Sequence, residues 1–151
     1  MVLKNEILVY NLNKEKIPPP KFFQELVNKV LVVLAEKNKV NLSLIFINPQ
    51  VSRRLNKSWR HKDEIASVLS FPLLENLSLK FGKEEKILGD VFLCPKLIKS
   101  QAQKLNISVD LLYLKLIIHS LLHLYGYNHS KAKDRCKMER LEDKILKLVN
   151  K

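Results

Sequence analysis

The sequence predicts an α+β fold in which about five helices pack around a four-stranded, mostly mixed sheet. Short β-prone segments alternate with longer segments in which apolar residues recur every three or four positions. One of the longer segments, residues 108–125, is apolar on nearly every side, which is typical of a helix buried at the centre of a domain. The chain has 151 residues and shows no internal repeat or low-complexity linker, so residues 1–151 are expected to form a single domain.

The first half of the chain predicts three strands and two helices. Each helix begins at a proline, which is tolerated in the first helical turn. The second helix is short and basic, carrying Arg53, Arg54 and Lys57. Residues 60–66 have no apolar period and are expected to form an irregular loop. In chain order the predicted elements are a strand at 3–12, a helix at 20–37, a strand at 41–48, a helix at 49–59 and a strand at 67–72.

The second half predicts one more strand and three helices. Gly89 in the strand marks a bulge or a close approach of another backbone. Ser108 is a good N-cap for the apolar helix, because its hydroxyl can accept a bond from a backbone N–H of the first turn. The polar residues 76–86 are expected to form a mobile loop. The predicted elements are a strand at 87–94, a helix from residue 95 with Leu97, Ile98, Ala102 and Leu105 inward, a helix at 108–125, and a helix at 131–149 with Met138, Leu141, Ile145 and Leu148 inward.

The net charge of the chain is strongly positive. Lysine and arginine outnumber aspartate and glutamate by 27 to 15, which gives a formal charge of +12. A surplus of this size in a small protein favours a polyanionic partner, with nucleic acid as the first candidate. The competing interpretation is a lysine-rich surface that is merely solvated.

The sequence contains no apolar stretch of about 20 residues and no pattern of a signal peptide or lipid anchor, so we expect no membrane association. Cys94 and Cys136 are isolated and lack metal-binding spacing. Such cysteines are typical of reduced thiols in a cytoplasmic protein, and no functional role is predicted for them. No feature of the sequence predicts an oligomeric state.

Three of the four histidines lie within eleven residues and predict a metal site. His119 and His123 are four positions apart, so on a helix both imidazoles project from one face. Gly126 can adopt the left-handed conformation that ends a helix and reverses the chain. That reversal is expected to carry His129 back toward the other two. Three imidazoles with a fourth position left open are the ligand set of a catalytic zinc.

An alternative for the histidine pair alone is that both residues are partly buried core residues of an apolar helix. The third histidine favours a metal site, because His123, Gly126 and His129 have the spacing H-x-x-G-x-x-H of the metzincin zinc signature. That signature places a glutamate general base directly after its first histidine. This chain has Ser120 there, which disfavours peptide hydrolysis by the metzincin route.

The chain resembles the bacterial YbeY family of metal-dependent endoribonucleases, which act in ribosomal RNA maturation and ribosome quality control. The resemblance covers most of the chain. It rests on LNKSWRHKD at 55–63 followed by VLSFP at 68–72, on LGDV at 88–91, and on the histidine segment at 119–129.

The resemblance implies an α+β fold and one Zn²⁺ ion held by His119, His123 and His129. It also implies a functional arginine, Arg60, in a cleft leading to the metal. The implied partners are ribosomal RNA and the ribosome, with single-stranded RNA as the substrate and no DNA expected. The chain departs from the family at four positions. The family usually has threonine, aspartate, glycine and aspartate where this chain has Ala66, Ser67, Ser120 and Asn128.

Two other functions stay open on the sequence. One is a zinc-dependent hydrolase of peptides or small substrates, favoured by the metzincin-like spacing. The other is a non-enzymatic RNA-binding ribosome factor with a structural zinc, for which His61 is the candidate fourth ligand. For the nuclease, the nucleophile can be a zinc-activated water or the 2′-hydroxyl of the RNA.

Overall fold

The computed structural model describes residues 5–73, 85–127 and 131–150. Four strands form one mixed sheet in the spatial order β1-β2-β4-β3. β2 pairs in parallel with β1 on one side and with β4 on the other, and β3 closes the sheet as an antiparallel neighbour of β4. The predicted α+β fold with a four-stranded mixed sheet is therefore confirmed. The strands are β1, Glu6–Asn11; β2, Lys39–Phe46; β3, Val68–Pro72; and β4, Glu85–Leu93.

Five helices in the described part of the chain pack around this sheet. They are α1, Pro20–Val33; α2, Pro49–Arg60; α3, Pro95–Leu105; α4, Val109–Leu124; and α5, Ala132–Val149. Positions 76–84 of the predicted loop at 76–86 lie outside the described residues. Its last two positions, 85 and 86, belong to β4.

Gly89 is the point where β4 deviates from regular pairing. The register of β2 against β4 shifts there, so that Asn41 faces Ile87 whereas Leu42 faces Gly89. Gly89 has φ +139°, and a Cβ atom at this position would lie 2.2 Å from the carbonyl oxygen of Phe71. Both predicted features, a bulge and a close backbone approach, are present, and no side chain fits at this position.

The apolar helix α4 lies at the centre of the protein. It contacts β3, β4, α1, α3 and α5, and its buried side chains include Tyr113, Ile117, Ile118 and Leu122. Its N-terminus is capped as predicted, since the Ser108 hydroxyl accepts a bond from the Leu111 N–H at 3.1 Å. A helix that is apolar nearly all round is stable in water only when it is enclosed in this way.

Gly126 ends α4, as the sequence predicts. Its φ is +96°, in the left-handed region. The Tyr127 N–H donates to the Leu122 carbonyl and the Gly126 N–H donates to the His123 carbonyl, both at 3.0 Å. This pair of bonds is a Schellman motif, which satisfies the last carbonyls of the helix and turns the chain away from its axis.

Helix α1 ends earlier than predicted, at Val33 rather than at position 37. Ala35 adopts a left-handed φ of +58°. The Glu36 N–H then donates to the Leu31 carbonyl and the Ala35 N–H to the Val32 carbonyl, both at 3.0 Å. This is the same Schellman motif with alanine in place of glycine, so no glycine in the sequence marks the helix end.

Two predicted inward residues are exposed. Leu105 in the last turn of α3 is 61% exposed, and Leu148 near the end of α5 is 48% exposed. Both predictions were wrong, because each side chain lies on a part of its helix that no neighbouring element covers. On α5 the buried position is Val149 instead.

No single helix among residues 5–73, 85–127 and 131–150 is long and apolar enough to cross a membrane. The pair α3 and α4 has the required length and apolar composition only in combination, and the two helices meet at a bend of 113°.

A cluster of three side chains fixes the C-terminal end of α4. The Tyr125 hydroxyl donates to a carboxylate oxygen of Glu36, whose side chain is only 8% exposed. Lys86 Nζ lies 3.1 Å from the same oxygen and 5.1 Å from the centre of the Tyr125 ring. Burial opposes the charged carboxylate, but the hydrogen bonds from Tyr125 and Lys86 outweigh it and lower the pKa of Glu36. The cluster ties α4 to the end of α1 and to the start of β4.

We expect Glu36→Gln to lower the free energy of unfolding at neutral pH by about 1–3 kcal/mol, the scale of a hydrogen bond to a charged group. Because the pKa of Glu36 is lowered in the folded protein, its contribution is present above its ordinary pKa of about 4.3 and is lost as the pH falls through the folded value. Urea denaturation of both proteins at neutral pH and at several acidic pH values measures this difference.

The matched control is Glu25→Gln, which removes an exposed carboxylate from α1. Its effect on stability is expected to be within about 0.5 kcal/mol of zero. A Glu36→Gln difference that stays constant down to strongly acidic pH would contradict the role of the ionised carboxylate.

Candidate functional site

His119 and His123 lie on one face of α4, and their rings converge. The two Nε2 atoms are 3.1 Å apart, and the rings meet edge to face with centroids 4.5 Å apart. Two nitrogens bound to one tetrahedral zinc at 2.0–2.1 Å are separated by roughly 3.3 Å. The pair therefore already has nearly the spacing of two ligands of a single ion.

Glu142 of α5 contacts the opposite nitrogen of the His119 ring. Its Oε1 atom lies 2.9 Å from His119 Nδ1. A carboxylate can only accept this hydrogen bond, so the proton belongs on Nδ1 and the Nε2 lone pair points toward His123. A carboxylate on the far nitrogen is the usual partner of a histidine that binds a metal, because it fixes the tautomer and the orientation of the ring.

The sequence prediction did not include Glu142. The available signal was its position on α5, four residues after Met138 and three before Ile145, both of which are buried. A glutamate on the inward face of an amphipathic helix requires a polar partner. The pattern gives no indication of which residue on another helix is that partner.

His129, the third predicted ligand, lies outside the described residues. Within residues 5–73, 85–127 and 131–150, no three histidine, cysteine, aspartate or glutamate side chains form a group that could hold a metal ion. His61 therefore does not join His119 and His123 in such a group. It ends α2 in a left-handed conformation with φ +59°. The described residues thus supply two converging imidazoles and no closed four-ligand cage.

Ser120 occupies the position that the metzincin signature gives to its general base. Its side chain is buried, and its hydroxyl donates to the Leu116 carbonyl of the preceding turn at 2.8 Å. The hydroxyl is thus engaged within the helix, and this position provides no acid–base group for peptide hydrolysis.

Arg60 is the last residue of α2 and is exposed. The loop that follows is irregular, as predicted, but polar side chains hold it against the helix. The Ser52 hydroxyl donates to the Ala66 carbonyl at 2.7 Å, and the Asn56 amide donates to the Glu64 carbonyl at 2.9 Å. Both anchoring side chains are buried, so the end of α2 that bears Arg60 has a defined position.

Arg53 is also part of this anchoring. Its guanidinium forms a two-point contact with Asp63, with Nε–Oδ1 at 2.6 Å and Nη2–Oδ2 at 3.2 Å. The ion pair lowers the pKa of Asp63. Of the basic residues predicted on this segment, Arg53 is therefore engaged within the protein, and the exposed positions Arg54, Lys57, Arg60 and Lys62 carry the remaining positive charge.

A second basic surface lies along α5. A depression of about 620 Å³ begins at Tyr127, two residues before His129 in the sequence, and continues along the helix. The basic residues that line it recur at helical spacing on one face, where phosphate groups could approach them. They are Lys133, Lys137, Arg140 and Lys144.

The mixed sheet, the buried helix and the paired imidazoles define an α+β protein with a candidate histidine metal site. A family model described as Endoribonuclease YbeY matches residues 9–150, and the chain belongs to that family.

Individual relatives agree with this assignment. The Endoribonuclease YbeY of Sulfurihydrogenibium sp. is 34% identical over 94% of this chain and 91% of its own length. That of Aquifex aeolicus is 36% identical over 98% of this chain and 94% of its own length. The solution structure of TM1509 from Thermotoga maritima is similar with a TM-score of 0.63 and 26% identity, covering 95% of this chain and 88% of that one. The resemblance inferred from the sequence motifs is thereby confirmed.

Proposed function

We propose that this protein is a zinc-dependent endoribonuclease that cleaves single-stranded RNA in ribosomal RNA processing and ribosome quality control in the cytoplasm. The observation that carries the proposal is the convergence of the two Nε2 atoms of His119 and His123, with Glu142 on the far side of the first ring. This geometry occurs in a chain that belongs to the endoribonuclease YbeY family.

His119, His123 and His129 are the proposed ligands of one Zn²⁺ ion per chain. The donor set fits zinc, because neutral imidazole nitrogens are among its preferred ligands. Zinc held by three protein ligands lowers the pKa of a bound water toward neutrality and so supplies a nucleophile at ordinary pH. Glu142 contributes by holding His119 in the tautomer whose Nε2 lone pair is available.

Arg60 is the proposed catalytic residue of the chain itself. Its planar guanidinium can donate two hydrogen bonds to the phosphate oxygens on which negative charge accumulates during cleavage. The support for this role is the anchoring of the α2 end by Ser52 and Asn56. This anchoring fixes the helix end from which the exposed Arg60 side chain extends.

Zinc binding is the first test of the site. We expect one zinc ion per chain in the wild type and little zinc in His123→Ala. Because Glu142 orients His119, we expect Glu142→Ala to weaken zinc binding by about 10–100-fold. Glu142→Gln keeps a hydrogen-bond acceptor and is expected to recover part of that loss. Competition with a chromophoric chelator measures the affinities, and thermal melting checks the fold.

The matched control for the zinc measurement is Glu139→Ala, which removes an exposed glutamate from the preceding turn of α5. Its zinc affinity is expected to equal that of the wild type. Equal zinc content in wild type and His123→Ala, or equal affinities for Glu142→Ala and Glu139→Ala, would contradict the proposed arrangement.

Cleavage of defined RNAs separates the proposed function from its alternatives. We expect the zinc-loaded protein to cut a single-stranded RNA, to spare a fully paired hairpin stem and a DNA of the same sequence, and to lose activity with a chelator and regain it with zinc. Binding of RNA without cleavage by the zinc-loaded protein would favour a non-enzymatic ribosome factor. Hydrolysis of peptides but not of RNA would favour the peptidase.

The ends of the products identify the nucleophile. Attack by the 2′-hydroxyl forms a bond to phosphorus, breaks the bond to the 5′-oxygen and transfers a proton to that oxygen. The initial products are a 2′,3′-cyclic phosphate and a 5′-hydroxyl. A single 2′-deoxy substitution at the cut site abolishes this route and leaves attack by water unaffected.

The last test concerns Arg60. If its guanidinium stabilises the transition state, Arg60→Ala is expected to slow RNA cleavage by about 10²–10³-fold at unchanged zinc content and melting temperature. Arg60→Lys is expected to recover only part of the rate, because an ammonium group lacks the planar two-point contact. Single-turnover cleavage at saturating enzyme measures the effect.

Arg54→Ala serves as the control, since Arg54 is an exposed arginine on the same helix. We expect it to weaken RNA binding slightly and to leave the saturated rate unchanged. Equal, small effects of Arg60→Ala and Arg54→Ala, both on affinity alone, would reduce Arg60 to one charge of a basic surface.

A further inference from the structure

Trp59 has the most exposed aromatic side chain in the described part of the protein, at 69%. It lies in the last turn of α2, next to Arg60. It is the only tryptophan of the chain. An exposed indole ring offers a large flat apolar surface to a partner.

Trp59 stands at the end of a row of three aromatic rings. Its ring meets Phe71 of β3 edge to face, with centroids 6.1 Å apart and an angle of 67°. Phe71 in turn contacts Phe92 of β4 at 5.6 Å. Trp59 is thus supported from the sheet side by the edge of one ring, while most of its own surface remains exposed to solvent.

The surroundings of Trp59 are positively charged. Lys57, Arg60 and Lys62 are all exposed within three residues of it, and Arg54 lies on the same helix. An exposed aromatic ring among cations is the combination by which proteins bind single-stranded nucleic acids. The cations attract the phosphates, and an unpaired base stacks on the ring. A paired base in a duplex is not available for such stacking.

We propose that Trp59 is a binding site for one unpaired nucleobase of the RNA substrate. This inference rests on the proposed function, because it assigns to the α2 end the selection of single-stranded over double-stranded RNA. Arg60 then contacts phosphate, while the adjacent Trp59 contacts a base. The two neighbouring residues bind different parts of the same strand.

As the only tryptophan, Trp59 reports on its own contacts through its fluorescence. The probe is a 2′-O-methylated single-stranded RNA of about ten nucleotides, within the usual range of such sites, verified to remain intact during the measurement. Matched probes are an abasic strand of the same length and a hairpin. We expect the base-bearing single strand to quench Trp59 emission strongly, and the abasic strand and the hairpin to bind with little quenching.

Substitutions test the energetic contribution of the stacking. Fluorescence anisotropy of labelled probes is expected to show that Trp59→Leu weakens binding of the base-bearing strand by about 5- to 150-fold, the range for loss of one stacked base. Binding of the abasic strand is expected to be unchanged. Trp59→Phe keeps a stacking surface and recovers part of the affinity. Leu105→Ala, which removes an exposed apolar side chain from α3, is expected to match the wild type.

Equal quenching by base-bearing and abasic strands, or equal weakening of both by Trp59→Leu, overturns the proposal for Trp59 and leaves the nuclease function standing. Absence of binding to every RNA probe also overturns the proposal for Trp59. RNA cleavage by the wild type, measured separately, decides the nuclease function independently of Trp59.

Discussion

The burial of helix α4 is the constraint on which the rest of the structure depends. Because this helix is apolar on nearly every side, strands β3 and β4 and helices α1, α3 and α5 must enclose it. Two imidazoles near its C-terminal end are held on the most enclosed element of the protein. A metal site requires this rigidity, because its ligands have to be positioned before the ion arrives.

The end of α4 shows how the surrounding elements complete that position. Tyr125 follows the histidine pair and is fixed by the nearly buried carboxylate of Glu36. Gly126 then reverses the chain through its left-handed conformation. On the other side, Glu142 reaches His119 from α5. Two elements that are distant in sequence, the end of α1 and helix α5, therefore hold the end of α4 and the ring of His119.

The basic charge of the chain is distributed in a way that its total of +12 does not reveal. Some cations serve the fold, such as Arg53 in its two-point contact with Asp63 and Lys86 in its contact with Glu36. Others lie exposed at the end of α2 and along α5. The exposed cations of these two surfaces are available to a polyanion, and the surfaces belong to the helix that bears Arg60 and to the helix that bears Glu142.

The sequence by itself determined the order of the elements, the central position of α4, its cap at Ser108 and its end at Gly126. These features follow from periodicity and from residues with distinctive backbone preferences, which are local properties. The family resemblance also followed from local motifs. Only the tertiary structure decided that α1 ends at Val33, because Ala35 adopts the left-handed conformation usually taken by glycine. It also decided that Glu142 is the partner of His119. The packing of α5 against α4 sets the distance between these two side chains, and the residue spacing within either helix does not.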